Sequence, residues 1–362
     1  MSKNIVICCD GTDNKLTINE NTNVIHLYSC LEKSSRQTTY YHPGVGTIAP
    51  NGTRNLLSRK WHIIKDMLSA SSMEENVKDA YVFLMDTYED GDKVYLFGFS
   101  RGAYTVRMLS GLIEMFGLLE KGNSGHLRYA LEIYSKGDKL FEIANSYKSR
   151  FSRKIEIHFI GIWDTVVAAG GLISFYKSFP YSRSLGIAKT VRHAIAIDER
   201  RKHYYYYEVS EEHNDCKEVL FAGVHSDVGG SYPIEGLSKV ALEWMLGEAS
   251  NAGLILLKPK VDRYVYSVDS DYQIPNYTLA IHKSDTFWFR VFDFIPRARF
   301  DKNSKFFQMK LDFRLWPARE FKAGSLVHKS VFNKIATNNY RPNNLSMTVE
   351  NYKTIENQPI KY

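Results

Sequence analysis

The stretch "KVYLFGFSRGAYTVRMLSGLIEMFG" (residues 93–117) limits what this chain can become more than any other. A short run of β-forming residues leads straight into Gly-x-Ser-x-Gly. An amphipathic pattern begins at once on the far side, with Val106, Leu109, Ile113 and Phe116 at helical spacing. A strand that turns directly into a helix crowds two backbones together. Gly98 and Gly102 remove side chains where that crowding falls, and the tight turn pushes the Ser100 hydroxyl outward. The start of the helix adds backbone N–H groups and a positive dipole end beside it. The stretch therefore predicts a strand–nucleophile–helix elbow.

The rest of the chain continues the alternation. "NIVICCD" (Asn4–Asp10) reads as a buried strand, followed by a helix near Thr22–Lys33 with Thr22 or Asn23 as its cap. "TTYYHPGVGT" (Thr38–Thr47) reads as a strand entering a turn. Ser72 and Glu75 form a capping-box pattern for a helix that reaches Tyr88 with Val77, Ala80, Tyr81 and Leu84 on one face. A helical stretch is expected over Ser124–Ser146, β-rich runs over Ile155–Asp164 and Lys217–Asp227, and a strong helix over "LSKVALEWMLGEAS". Strands alternating with helices predict an α/β fold, mainly a parallel sheet with helices on both faces. The pattern weakens beyond Gly253. The chain, residues 1–362, is read as a single domain with cap-like insertions within 170–185 and 254–321, both rich in aromatic and apolar residues. "HYYYYEV" (His203–Val209) is expected at an edge or in a cap.

Composition narrows the partners. Lys and Arg exceed Asp and Glu by 47 − 40 = 7, a mild and scattered excess that suits anionic lipid or phosphate surfaces and argues against nucleic acid. Cys8, Cys9, Cys30 and Cys216 have neither metal-ligand spacing nor a disulfide pattern, which points to a reducing compartment of synthesis. The N-terminus has no Sec signal, and no stretch approaches the ~18 apolar residues of a membrane span. Synthesis in the cytoplasm is expected, and work outside the cell would require export by some other machine.

A serine needs a general base and a group that orients it. On this kind of sheet they follow in the order serine, acid, histidine. Asp164 ends the run "GIWD" and is the expected acid. His225 in "GVHSDVGGSY" is the expected base, with Asp227 a rival acid read instead as a site-wall residue. The backbone N–H of Arg101 is one expected oxyanion donor, and Gly11 or Thr12 after the first strand supplies the second. Asp10 is then a loop-ordering carboxylate. His42 reads as structural, His158 as facing a helix, and His193 and His203 show no partner. Two other readings stay open. Asp10, Asp13, Asn14, Asp164, His225 and Asp227 could hold a divalent metal for phosphoester hydrolysis, with Thr12 or Ser100 as nucleophile, although no H-x-H, H-E-x-x-H or D-x-D-x-D motif is present. A catalytically inactive lipid- or partner-binding module could also keep this fold.

The motifs "CDGTDN", "YYHPGVGT", "GFSRGAY", "GIWDTV", "VRHAIAIDER", "FAGVHSDVGGSY" and "VHKSV…YRPNNL" occur in that order between Asp10 and Leu345. Together they resemble the α/β-hydrolase domain family that includes type VI secretion phospholipase effectors. The resemblance implies a lipase or phospholipase acting on acyl esters of glycerophospholipids at a membrane surface, without a metal or other cofactor. It assigns the triad to Ser100, Asp164 and His225. Export by a type VI secretion system, with an immunity or secretion partner, is an implied role, and a housekeeping or defence esterase fits the same residues. The family's first motif carries Trp after "DGT", where Asp13 stands here.

Overall fold

The computed structural model describes residues 2–11, 20–44, 70–137, 140–166, 179–201, 204–210, 213–266, 274–283, 297–299, 310–312, 318–345 and 351–362. Its centre is an eight-stranded sheet. The strands are β1 (Asn4–Cys9), β2 (Gln37–His42), β3 (Lys93–Phe99), β4 (Ile157–Trp163), β5 (Ala188–Ala196), β6 (Cys216–Phe221), β7 (Leu326–His328) and β8 (Lys353–Ile355). Their spatial order is β8-β7-β6-β5-β4-β3-β1-β2, and every neighbouring pair is parallel. The order reverses at β1, because the chain places β2 on one side of it and β3 on the other. In open parallel sheets the crevice at such a reversal, outside the C-terminal strand ends, is where ligands bind.

Strands buried on both faces read as continuous apolar runs, and β1 is an example. Ile5, Ile7 and Cys9 face one core with α2 (Ala70–Thr87), α3 (Arg101–Phe116), α4 (Ser124–Lys136) and α5 (Phe141–Phe151). Val6 and Cys8 face the other, with α1 (Asn23–Cys30), α7 (Gly236–Asn251) and α8 (Lys258–Tyr264). The short α6 (His225–Gly229) lies between β6 and α7 in the chain, and α9 (Lys329–Asn338) shares a smaller apolar cluster with β5, β6 and β7. Burial pushes the Cys9 and Cys30 thiols up to about 12, so both act as small apolar groups.

Several expectations change. α2 is already helical at Ala70, so Ser72 falls within the helix range rather than ahead of it. The helical stretch 124–146 is two helices, broken at Gly137, whose φ is +80°. β4 begins at Ile157, leaving Ile155 outside it, and pairing with β3 slips one residue so that Val94 faces Ile157 and Tyr95 faces Phe159. His158 takes up the slip and donates to the Ala252 carbonyl at the end of α7 (2.8 Å). β6 stops at Phe221, and the run beyond it turns and begins α6 at His225. β5 carries no expected strand and is central to the sheet. Of the segments read as caps, residues 179–185 and 254–266 pack on the core through Phe179, Leu185, Leu254, Leu256, Val261 and Val265. Residues 167–178, 267–273, 284–296, 300–309 and 313–317 lie outside the described residues, as do Thr12, Asp13, Asn14 and His203. Among the described residues no helix is long and apolar enough to cross a membrane.

The loop after β1 is tied to α1 by Thr22. Its Oγ1 accepts the Ile25 N–H (3.3 Å) and donates to Asp10 (2.6 Å). Thr22→Val keeps the shape and removes both bonds. The expected loss is about 2 kcal/mol, combining a helix cap with a hydrogen bond to a buried carboxylate. Urea unfolding of both proteins measures it, and an unchanged midpoint would contradict this assignment.

Candidate active site

Ser100 stands between β3 and α3 with φ +57° and ψ −122°, a strained conformation for a residue with a side chain. Two contacts enforce it. A Cβ on Gly98 would lie 2.6 Å from the Gly102 carbonyl oxygen, and one on Gly102 would lie 2.2 Å from the Cys9 oxygen and 2.5 Å from that of Asp10. The Ser100 N–H still completes the sheet ladder by donating to the Trp163 carbonyl (3.1 Å). The elbow is thus locked to β1 on one side and β4 on the other.

Asp164 follows β4 directly, also at positive φ (+36°). His225 opens α6, two strands further along the sheet. The three side chains meet at the C-terminal strand ends. Ser100 Oγ–H donates to His225 Nε2 at 2.8 Å, and His225 Nδ1–H donates to Asp164 Oδ2 at 2.6 Å. The carboxylate can only accept, which fixes the proton on Nδ1 and leaves Nε2 as the acceptor for the serine. The imidazole packs against the Phe99 and Tyr204 rings, at centroid distances of 4.6 and 4.7 Å. Glu199, after β5, accepts the His225 backbone N–H (3.2 Å) and is itself held by Arg201.

Asp164 is fully buried and has a second partner that the sequence did not reveal. Arg319 forks onto it, Nη1 to Oδ1 at 2.5 Å and Nη2 to Oδ2 at 3.0 Å, while Ala196 N–H donates to Oδ1 at 3.0 Å. Burial works to raise the carboxyl, but Arg319 and then His225 overcome it and hold it well below the usual carboxylate range. For His225 burial is the largest effect and lowers the imidazole below its ordinary 6.5, with the Asp164 hydrogen bond opposing. Near neutral pH the site therefore holds a neutral imidazole beside an ionised carboxylate, which suits a general base.

The other expected site residues are placed differently. Asp10 orders its loop, accepting from Thr22, from Tyr41 (2.9 Å) and from the Gly11 N–H (2.7 Å). That last bond corrects the expectation for Gly11, whose N–H is committed to a neighbouring carboxylate. Arg101 occupies the first helical position of α3, directly after Ser100. Asp227 does not face His225. It caps its own turn by accepting the Val224 N–H (3.0 Å) and meets His282 through both ring Nδ1 (2.5 Å) and backbone N–H (3.1 Å). His193 has partners after all: Nδ1 meets Glu218 at 2.8 Å, and Nε2 accepts the Thr165 N–H at 3.1 Å. His42 accepts the Gly44 N–H (3.1 Å). Tyr204 of the tyrosine patch forms part of the site wall.

The described members of the metal reading do not converge. Asp10 serves its loop, Asp227 serves His282, and Asp164 faces a guanidinium that would repel a cation. Among the described residues no group of three or more His, Cys, Asp or Glu side chains could hold a metal ion.

Comparison with known proteins finds one family and several individual proteins to which this chain is similar. The family described as the catalytic domain of Tle1-like type VI secretion phospholipase effectors matches residues 3–248. Over 216 residues, 55% of this chain and 31% of the relative, the chain is 37% identical to the uncharacterized protein YEL023C of Saccharomyces cerevisiae. A crystal structure of an uncharacterized protein from Pseudomonas aeruginosa is similar over 72% of this chain and 47% of that one, with 17% identity and a TM-score of 0.44. The structure of the Tle1 effector bound to the VgrG spike from the type VI secretion system is similar over 64% and 51%, with 19% identity and a TM-score of 0.37. The chain spans about half, or less, of the length of each of these relatives.

The elbow sets a sharp test. In Gly102→Ala the new methyl group meets backbone oxygens that cannot rotate away, so a loss of about 3 kcal/mol or more is expected. Gly125→Ala, in α4 with nothing within 4 Å, is expected to be neutral or slightly stabilising. Thermal unfolding of the two variants compares them directly, and equal effects would contradict the crowding argument.

Proposed function

The chain belongs to the catalytic-domain family of Tle1-like phospholipase effectors of type VI secretion, and on that premise we propose that it is a serine hydrolase of carboxylic acyl esters. Its proposed substrates are glycerophospholipids at a membrane surface, cleaved as a phospholipase A would cleave them. The observation that most supports this reading is the unbroken hydrogen-bond chain Ser100–His225–Asp164. Export by a type VI system, and a secretion or immunity partner, enter the proposal through the family alone. The proposed catalytic unit spans residues 1–362, since β7 and β8 extend the same sheet.

In the proposed reaction His225 Nε2 takes the Ser100 proton as Oγ attacks the ester carbonyl carbon. Asp164 holds the ring in place and stabilises the imidazolium. The Arg101 N–H at the start of α3 is one donor to the oxyanion, and Thr12 is the proposed second donor in place of Gly11. As the tetrahedral intermediate collapses, the ester C–O bond breaks and the imidazolium returns its proton to the departing alkoxide. Water then attacks the acyl enzyme, with His225 again the base. The fatty acid leaves and Ser100 is reprotonated.

Hydrolysis of phospholipid vesicles, with mass spectrometry of the lysolipid and fatty acid, tests the reading. Ser100→Ala and His225→Ala are each expected to lose roughly a thousandfold or more in kcat while circular dichroism stays unchanged. Full activity in Ser100→Ala would refute the assignment. Lipid binding by the wild type without turnover would favour the inactive binding module.

The pH dependence follows from the His225 shift. The imidazole must be neutral to accept a proton, and it titrates below 6.5. Activity should therefore persist as pH falls through 6.5 and be lost only below it. An acid limb of kcat/KM centred above 6.5 would contradict the electrostatics described here.

A further inference from the structure

Arg319 lies 155 residues from Asp164 and beyond residue 248, where the family match ends. Its side chain is nevertheless almost wholly enclosed, with 3% of its surface exposed. Besides the fork on Asp164 it donates to the Ala196 carbonyl (2.8 Å) and the Tyr204 carbonyl (2.5 Å). One guanidinium thus joins the end of β5, the segment that sets Tyr204 against the imidazole, and the carboxylate bonded to that ring. Planar bidentate donors fix the plane of a carboxylate as well as its charge.

We propose that Arg319 is a positioning residue of the reaction, which sets the plane of Asp164 for His225 and withdraws charge from it. The fork occupies both carboxylate oxygens and leaves one lone-pair direction on Oδ2 for the imidazole. Hence the ring can take only one orientation toward Ser100. The charge argument is separate. With Arg319 present, protonated His225 sits beside an ion pair rather than beside a lone carboxylate. The imidazolium is less favoured, and the neutral base survives to lower pH. Among the described residues, the remaining groups facing His225 are Glu199 and Arg201 after β5, the Tyr204 and Phe99 rings, and Ser100 itself. Asp227 on the same short helix is engaged by His282. The segment after residue 248 is accordingly part of the catalytic unit.

For its kinetic part this inference rests on the hydrolase reading, so the test has a readout that needs no turnover. His225 is titrated by NMR in ¹⁵N-histidine-labelled full-length protein, and its resonances are assigned with His225→Gln. The same proteins are assayed on a short-chain 4-nitrophenyl ester across pH. In Arg319→Gln the His225 pKa and the acid limb of kcat/KM are both expected to rise by about one pH unit or more. Its kcat is expected to fall by roughly tenfold to a hundredfold, with KM little changed. Arg319→Lys keeps the charge and loses the fork. Its acid limb should return toward the wild type while kcat stays low, and it carries the test if the Gln variant does not fold. An unmoved His225 titration in Arg319→Gln, or a wild-type kcat in Arg319→Lys, would overturn the proposal. A wild-type protein without esterase activity would count against the hydrolase reading alone, and the titration would still decide whether Arg319 acts on His225.

Discussion

At Gly102 the backbone of α3 passes so close to the end of β1 that a methyl group would not fit between them. The site depends on that crossing. It holds Ser100 at a strained positive φ, points its hydroxyl out of the sheet, and places the first turn of α3 beside the reversal in strand order. β4 fixes the other flank through the Ser100 N–H and then delivers Asp164 as the next residue past its end. Two adjacent parallel strands thereby set Ser100 and Asp164 at the same height. His225 has only to reach across from the end of β6.

A buried carboxylate and a buried imidazole are costly unless their partners are complete. Here the line of groups runs from Arg319 through Asp164 and His225 to Ser100, and each hydrogen bond fixes the direction of the next. The arrangement is fragile in a particular way. Removing one member of a buried charged pair costs about 3–5 kcal/mol, because the other is left stranded. Polar clusters beside the line follow the same rule. Glu199 holds the His225 backbone and is matched by Arg201, and Asp227 holds the α6 turn and is matched by His282. Acids that could have competed for the imidazole are committed elsewhere.

The sequence was most readable where the determinants are local. The elbow, the Thr22 cap, the α2 and α3 faces and the paired apolar faces of β1 each follow from residues within a few positions of one another. β5 was not readable because "AKTVRHAIA" places Lys, Arg and His along a strand that local rules would leave exposed. Its charges are satisfied from far away, Arg192 by Glu248 and Asp215, and His193 by Glu218. Arg319 and His282 were missed for the same reason, since their partners are 155 and 55 residues distant and no local pattern marks them. Gly11 failed as an expected donor because the Asp10 side chain folds onto the next N–H, a contact that spacing alone does not specify.

Ser100 is proposed as an activated nucleophile whose chemistry needs no metal. Mass-spectrometric mapping of fluorophosphonate labelling on the purified protein, with and without EDTA, addresses it most directly. The expected result is a single adduct on Ser100, formed at the same rate in both conditions. No labelling of Ser100, together with phosphatase activity abolished by EDTA, would contradict it.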